Sequence, residues 1–191
     1  MKVKLIIISI VLTLLVIPFM VSAQVDNFGK TDTIYADIAK IDNSNWSITI
    51  SYTNDQNVLG LSIPLKMTAG LNRVVADSAV YTGGRVDNFA FKGFRPDTAI
   101  QCVTLGIIAN IGPSNKTLYP GSGRLVTIFV SSLDKKPIEK LVVDTTTTSP
   151  NNSLLVVADT FQGENRQDTI PISERKEKIE IIPAFVVRQS K

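Results

Sequence analysis

Apolar and small hydroxyl side chains alternate without exception in Trp46-Ser47-Ile48-Thr49-Ile50-Ser51-Tyr52-Thr53. Successive side chains of a β-strand point to opposite faces, so this spacing puts the apolar set on one face and the serines and threonines on the other. We therefore predict a strand with one buried and one solvated face.

A second alternation follows at residues 59–67. Its apolar members are Leu59, Leu61, Ile63, Leu65 and Met67, and they are separated by Gly60, Ser62, Pro64 and Lys66. Because Pro64 has no N–H to donate, we expect this strand to lie at a sheet edge or to be bulged there. The predicted core contains Trp46, Ile48, Ile50, Leu61, Ile63, Leu65 and Phe129.

Further strands are predicted at residues 33–41, 74–81, 85–91, 99–111, 123–132, 140–147, 154–161 and 179–187. Turn-forming residues cluster between them, at 42–45, 54–57, 83–84, 112–115, 120–123 and 149–152. No stretch has a long helical period, and the charged run 173–178 is interpreted as a solvated loop. Short strands at this spacing indicate an all-β sandwich or barrel.

The first 23 residues have the order of a secretory signal. Lys2 and Lys4 precede an apolar stretch, and the small residues Val21-Ser22-Ala23 suit a cleavage site before Gln24. We expect residues 1–23 to be removed and residues 24–191 to form one exported domain, with no membrane insertion after cleavage. The alternative is an uncleaved membrane anchor, but the apolar stretch is short for a span.

Composition excludes most catalytic chemistry. The chain has no histidine and one cysteine, which removes the usual general base of hydrolases and the commonest zinc ligands. Cys102 lies in a predicted strand and is interpreted as a buried thiol. No strand carries alternating acids for a glycosidase cleft. We predict a protein that is not an enzyme and needs no cofactor.

Charge and side-chain type restrict the possible ligands further. Without Lys2 and Lys4 the basic and acidic residues nearly balance, since the whole chain has 20 and 17, so no nucleic-acid partner is expected. The Asn and Asp clusters at 42–45 and 54–57 could hold calcium, but turn chemistry explains them and no metal site is predicted. Trp46 and Tyr52 could form a sugar platform, although core packing is preferred; Tyr81 and Tyr119 are better candidates for exposed rings.

Two segments resemble bacterial cohesin-like domains. The first is Val58-Leu59-Gly60-Leu61-Ser62-Ile63-Pro64-Leu65-Lys66, which follows a polar turn, and the second is Gly121-Ser122-Gly123-Arg124-Leu125-Val126-Thr127-Ile128-Phe129-Val130. The resemblance covers residues 33–187. It implies an all-β, two-sheet antiparallel jelly-roll sandwich of about nine strands. Lys66-Met67-Thr68-Ala69-Gly70 replaces the family's Tyr-Asp-Pro turn, so no contact residue is carried over there.

The resemblance also implies a function. Cohesins bind dockerin modules in extracellular assemblies, so we expect a secreted, non-catalytic binding or scaffolding module with a dockerin-like protein partner. A flat sheet face would bind that partner, with Ser62, Pro64, Lys66 and Thr127 turned outward. The alternatives are a carbohydrate-binding module that recognises polysaccharide and a structural subunit of a cell-surface assembly.

Overall fold

The computed structural model describes residues 30–111, 116–159 and 179–189, and these residues form strands without any helix. The strands are β1 (Thr33–Lys40), β2 (Asn45–Asn54), β3 (Val58–Thr68), β4 (Val74–Val80), β5 (Phe91–Asp97), β6 (Cys102–Ile108), β7 (Gly121–Ser132), β8 (Val142–Thr145), β9 (Leu155–Ala158), β10 (Ile179–Ile181) and β11 (Ala184–Gln189).

These strands form two packed sheets. The first sheet has the order β11-β1-β2-β7-β4, and the second has the order β10-β9-β3-β6-β5, with β8 also paired to β3. The all-β, two-sheet jelly-roll sandwich is confirmed. Every pairing is antiparallel except that of β1 with β11, which is parallel. The expected final strand, 179–187, is divided in two, because β10 joins the second sheet and β11 joins the first.

The core lies between the two sheets and follows the predicted alternation. Ile48, Ile50 and Tyr52 of β2 are fully buried, as are Ile63 and Leu65 of β3. Burying one such side chain contributes about 1.5 to 3 kcal/mol. The predicted burial of Trp46, Ile48, Ile50, Leu61, Ile63 and Leu65 is confirmed.

The prediction that Phe129 is buried is wrong. β7 has a bulge at Leu125, which pairs with no residue of β2 because the register shifts between Ile50 and Ser51. Leu125 and Val126 are consecutive and both buried, and the alternation resumes after them. Val126, Ile128 and Val130 then face the core, which turns Phe129 outward with 37% of its surface exposed.

Pro64 does not lie in an edge strand. β3 is central in its sheet and pairs with β6 along one side. On its other side β9 pairs with residues up to Ser62 and β8 begins at Leu65, so Pro64 falls between the two partners. The missing N–H of proline is tolerated there because neither partner strand pairs with that residue.

The strand predicted at 85–91 is instead a series of turns. Asp87 N donates to Gly84 O at 3.1 Å, and Phe89 N donates to Val86 O at 3.0 Å. Val86 and Phe89 are both buried, and their spacing of three residues suits such turns better than a strand. Strand β5 begins only at Phe91.

Two sequence-based predictions concern residues that the structure does not describe. The signal segment 1–23 and the charged run 173–178 both lie outside the described residues. In the part of the chain that is described, no helix has the length and apolarity needed to cross a membrane.

Candidate functional site

The outer surface of the second sheet combines apolar side chains with residues that have little or no side chain. The alternation that buries Leu61, Ile63 and Leu65 turns the intervening residues outward, and the register aligns them with neighbours on β5, β6 and β9. We call this surface the β9-β3-β6-β5 face. Its cross-strand rows are Val157-Gly60-Ile108-Phe91, Leu155-Ser62-Gly106-Gly93, Pro64-Thr104-Arg95 and Lys66-Cys102-Asp97.

Glycines make the centre of this face low. A Cβ at Gly93 would meet Phe91 Cε1 at 2.9 Å, and one at Gly106 would meet the same atom at 3.6 Å. The Phe91 ring therefore lies across both glycines, and it leaves 45% of its surface exposed. Ile108, its neighbour on β6, is 42% exposed. Phe91 and Ile108 together form an exposed apolar patch, and the Phe91 ring covers the floor that the two glycines leave.

Tyr81 supports this floor from outside the sheet. Its hydroxyl donates a hydrogen bond of 2.8 Å to Gly93 O, and the ring packs against the core. Burial raises the pKa of Tyr81 to about 12, so the hydroxyl remains a donor at neutral pH. Tyr81 is therefore only partly exposed, whereas Tyr119 is 69% exposed; both are more accessible than Trp46 and Tyr52, as predicted.

Charged groups occupy one end of the face. Lys66 of β3 lies opposite Asp144 of β8, and Arg95 and Asp97 project from β5. The Lys66 ammonium also donates to Ile100 O, and Asp97 Oδ1 accepts hydrogen bonds from the backbone of the following turn. Positively and negatively charged side chains thus lie within a few residues of Gly93 and Gly106.

Cys102 lies in the same row and is inert. Its side chain is buried, and Sγ contacts Ile100 O at 3.4 Å. Burial is the main cause that raises the pKa of the Cys102 thiol, so little nucleophilic thiolate forms at neutral pH.

The segment between β8 and β9 covers part of the face. Thr148 Oγ1 lies 2.8 Å from Thr104 Oγ1, and Thr146 N donates to Pro64 O at 3.3 Å. Pro64 and Thr148 are consequently buried. Of the predicted site residues on β3, only Ser62 and Lys66 retain partial exposure.

Thr127 does not share this face. It lies on β7, which pairs with β2 and β4 in the first sheet, and its hydroxyl is 3.4 Å from that of Thr49. The prediction that Thr127 adjoins Ser62, Pro64 and Lys66 is wrong because β3 and β7 belong to different sheets. Whether these residues bind a partner stays a prediction.

The outer surface of the first sheet has a different chemistry. Serine and threonine hydroxyls of β2 dominate it, and Thr53 Oγ1 lies 2.7 Å from Ser122 Oγ. Near its edge, Arg188 forms a bidentate ion pair with Asp37 and stacks on Tyr35. The outward-facing Phe129 of β7 is an apolar exception on this surface.

The aromatic pair Trp46 and Tyr52 is part of the core. Trp46 is 8% exposed and its indole N–H donates to Ile138 O at 3.3 Å, while Tyr52 is fully buried. The preferred sequence-based interpretation of this pair is confirmed, and these rings offer no sugar platform. Within the described ranges, no group of three or more Cys, Asp or Glu residues could hold a metal ion through those side chains alone.

Solved cohesin structures share this fold. A type I cohesin from a cohesin–dockerin complex of Clostridium thermocellum superposes with a TM-score of 0.53 at 9% identity, covering 84% of this chain and 100% of that one. The sixth cohesin of Acetivibrio cellulolyticus scaffoldin B, solved in complex with a Cel5 dockerin mutant, gives a TM-score of 0.52 at 8% identity with the same coverage.

No family model matches the chain, and no curated protein does. The likeness is therefore one of fold. The described part of this chain has a cohesin-like fold.

Proposed function

We propose that this protein is a secreted, non-catalytic module that binds a protein partner of the dockerin type through the β9-β3-β6-β5 face. The observation that carries the proposal is the exposed apolar patch of Phe91 and Ile108, with the Phe91 ring seated on Gly93 and Gly106 and charges of both signs at one end of the face. Protein interfaces typically have an apolar centre with a polar rim, and a few central aromatic side chains carry much of the binding energy.

The fold comparison supports the choice of partner. The two cohesins with a similar fold were each solved with a dockerin. The sequence departs from the cohesin pattern after Lys66, so partner specificity must depend on this chain's own residues. Among them, Phe91, Ile108 and the charged Lys66 and Arg95 are accessible for it.

Ser62→Arg tests this face directly. The new side chain would place a bulky charge in the row of Gly106 and Gly93, where a partner would make its closest approach. We expect binding to an immobilised dockerin, chosen from a panel that includes those of the two complexes, to weaken by about 100-fold, or roughly 2.7 kcal/mol. Surface plasmon resonance would give the affinities.

Thr127→Arg is the matched control, because it adds the same charge to the outer surface of the other sheet. Its affinity should stay within about twofold of the wild type, and both variants should retain the wild-type circular dichroism spectrum. Equal affinity of Ser62→Arg and the wild type would exclude this face. Binding to a glycan array with no binding to any dockerin would instead favour the carbohydrate alternative.

Export is a separate part of the proposal. Lys2, Lys4, the apolar stretch and the Val-Ser-Ala ending support cleavage before Gln24. We expect intact-mass analysis of the protein from culture medium to give a chain that begins at Gln24. A full-length chain in the membrane fraction would contradict export, but it would not bear on the proposal that the β9-β3-β6-β5 face binds a partner.

A further inference from the structure

Buried polar side chains gather at one end of the sandwich, around the turn between β2 and β3. Backbone contacts bring three segments to this turn: Val58 pairs with Leu118, and Asp159 N donates to Asn57 O at 2.8 Å. The buried polar residues here are Asp32, Asn54, Gln56, Asn57, Thr117 and Asp159. Burial of so many polar groups costs free energy unless each finds a partner.

A hydrogen bond joins two of these side chains directly, and a third is bound to the backbone of the same turn. The Gln56 amide and the Tyr52 hydroxyl both donate to Asp32 Oδ2. The Asn54 amide donates to Gln56 O at 2.6 Å and to Tyr119 O at 3.2 Å. These bonds use both N–H groups of the Asn54 amide and one of the Gln56 amide, and the two amide oxygens remain.

The two amide oxygens and the hydroxyl of Thr117, which are Asn54 Oδ1, Gln56 Oε1 and Thr117 Oγ1, have no hydrogen-bond partner among the described residues. Their side chains are only 5%, 1% and 6% exposed, so bulk water does not reach them freely. Since an amide oxygen can only accept, the oxygens of Asn54 and Gln56 cannot satisfy each other.

The other Asn and Asp cluster differs in this respect. Asp42 Oδ1 accepts hydrogen bonds from Ser44 N at 2.7 Å and Asn45 N at 2.9 Å, and Oδ2 accepts one from the Asn45 amide. These bonds lower the pKa of Asp42, and its turn is exposed. Turn chemistry therefore accounts for the oxygens at 42–45 but leaves those of Asn54 and Gln56 unused.

Arg85 lies close to this turn, and the hydrogen bonds of its guanidinium go to backbone oxygens. Its Nη atoms donate to the backbone oxygens of Tyr52, Tyr119 and Gly121. The same end of the domain holds the buried carboxylates of Asp32 and Asp159. A cation bound at this turn would lie near carboxylate as well as amide oxygens.

We propose that a calcium ion binds at this turn, with the Asp32 carboxylate and the amide oxygens of Asn54 and Gln56 as ligands. Ca²⁺ takes carboxylate and amide oxygens in flexible geometry, whereas Mg²⁺ usually keeps several waters. The site uses amides as well as a carboxylate, so it does not need a cluster of three acids. It revises the sequence-based expectation that no metal binds, and it is independent of the docking face.

Terbium provides the direct test, since Tb³⁺ occupies calcium sites and is sensitised by nearby tyrosine. The Tyr52 hydroxyl contacts Asp32, so excitation of tyrosine in the purified protein should produce Tb³⁺ luminescence that Ca²⁺ abolishes. Saturating Ca²⁺ should raise the thermal midpoint by about 5 °C relative to EDTA. Mg²⁺ should not reproduce this shift, and an equal shift would overturn the assignment.

Gln56→Met should abolish both responses, because it removes Oε1 while keeping side-chain length. Asp42→Ala, in the exposed turn, is the matched control and should leave both responses unchanged. If Gln56→Met fails to fold, the Tb³⁺ luminescence and the thermal midpoints of the wild type still test whether calcium binds. Absence of sensitised luminescence, together with equal thermal midpoints in Ca²⁺ and EDTA, would show that the buried oxygens bind water only and would overturn the proposal.

Discussion

Replacing Ile50 with alanine should lower the free energy of unfolding by about 2 to 5 kcal/mol. Ile50 is fully buried at the centre of β2, where it lies between Ala36 of β1 and Val126 of β7. The substitution removes buried methyl groups and leaves a cavity that the paired strands cannot readily close. Urea unfolding followed by Trp46 fluorescence would measure the loss, with an unchanged slope against denaturant.

Thr49→Ala is the matched control for this experiment. Thr49 is the preceding residue on the same strand, but it faces outward and makes one long contact of 3.4 Å with the Thr127 hydroxyl. Its loss should cost less than about 1 kcal/mol. If Thr49→Ala proved as destabilising as Ile50→Ala, the assignment of the two faces of β2 would be wrong.

Local alternation was enough to predict the strands that build the first half of the core. Residues 46–53 and 59–67 lie within β2 and β3, and the structure buries their apolar positions except Leu59, which is half-buried beside a register shift. Period two determines which face of a strand is apolar, because the geometry of the strand permits no other arrangement. A bulge breaks this rule, and Phe129 was misassigned for that reason.

Sheet membership could not be predicted from local pattern. β3 and β7 both alternate, but β3 pairs with β6 and β7 pairs with β2, and nothing within either segment specifies that choice. Long-range pairing depends on the packing of the whole sandwich. Thr127 was therefore placed beside Ser62 in the prediction, while the structure places it on the opposite surface.

The glycines of the candidate docking face carried a signal that the sequence analysis did not use. Gly93 and Gly106 lie inside strands, where glycine commonly marks close approach of another group. Here that group is the Phe91 ring. The expected strand at 85–91 ends at Phe91, whereas β5 begins there. The pairing of Gly93 with Gly106 beneath the Phe91 ring could therefore not be predicted.

The two outer surfaces of the sandwich lead to different expectations about partners. The hydroxyl-rich surface of β2 gains little from losing water, since serine and threonine are already well solvated there. The exposed Phe91 and Ile108 gain much more when a partner covers them. With Trp46 buried, a sugar partner would have to use other rings, such as the exposed Tyr119.

Arg85→Met should destabilise the domain by about 2 to 4 kcal/mol, because the Arg85 guanidinium joins separate parts of the chain. It donates to Tyr52 O at 2.9 Å, Gly121 O at 3.1 Å and Tyr119 O at 2.6 Å. Desolvation lowers the pKa of Arg85, while the charges of Tyr52 and Asp32 oppose that effect. Methionine keeps the apolar stem but provides no donor for the three carbonyl groups.

The start of β7 is shaped to admit this side chain. Gly123 has a φ of +156°, and a Cβ there would lie 3.1 Å from Arg85 Cδ, so the strand approaches the arginine stem closely. Arg124→Met is the control: the Arg124 guanidinium donates to one carbonyl, Thr82 O, and to the Thr127 hydroxyl. We expect it to cost less than about 1.5 kcal/mol in urea unfolding. Equal losses for the two variants would mean that the three carbonyl groups recover their hydrogen bonds from water, and that Arg85 does not hold the end of β2 to the start of β7.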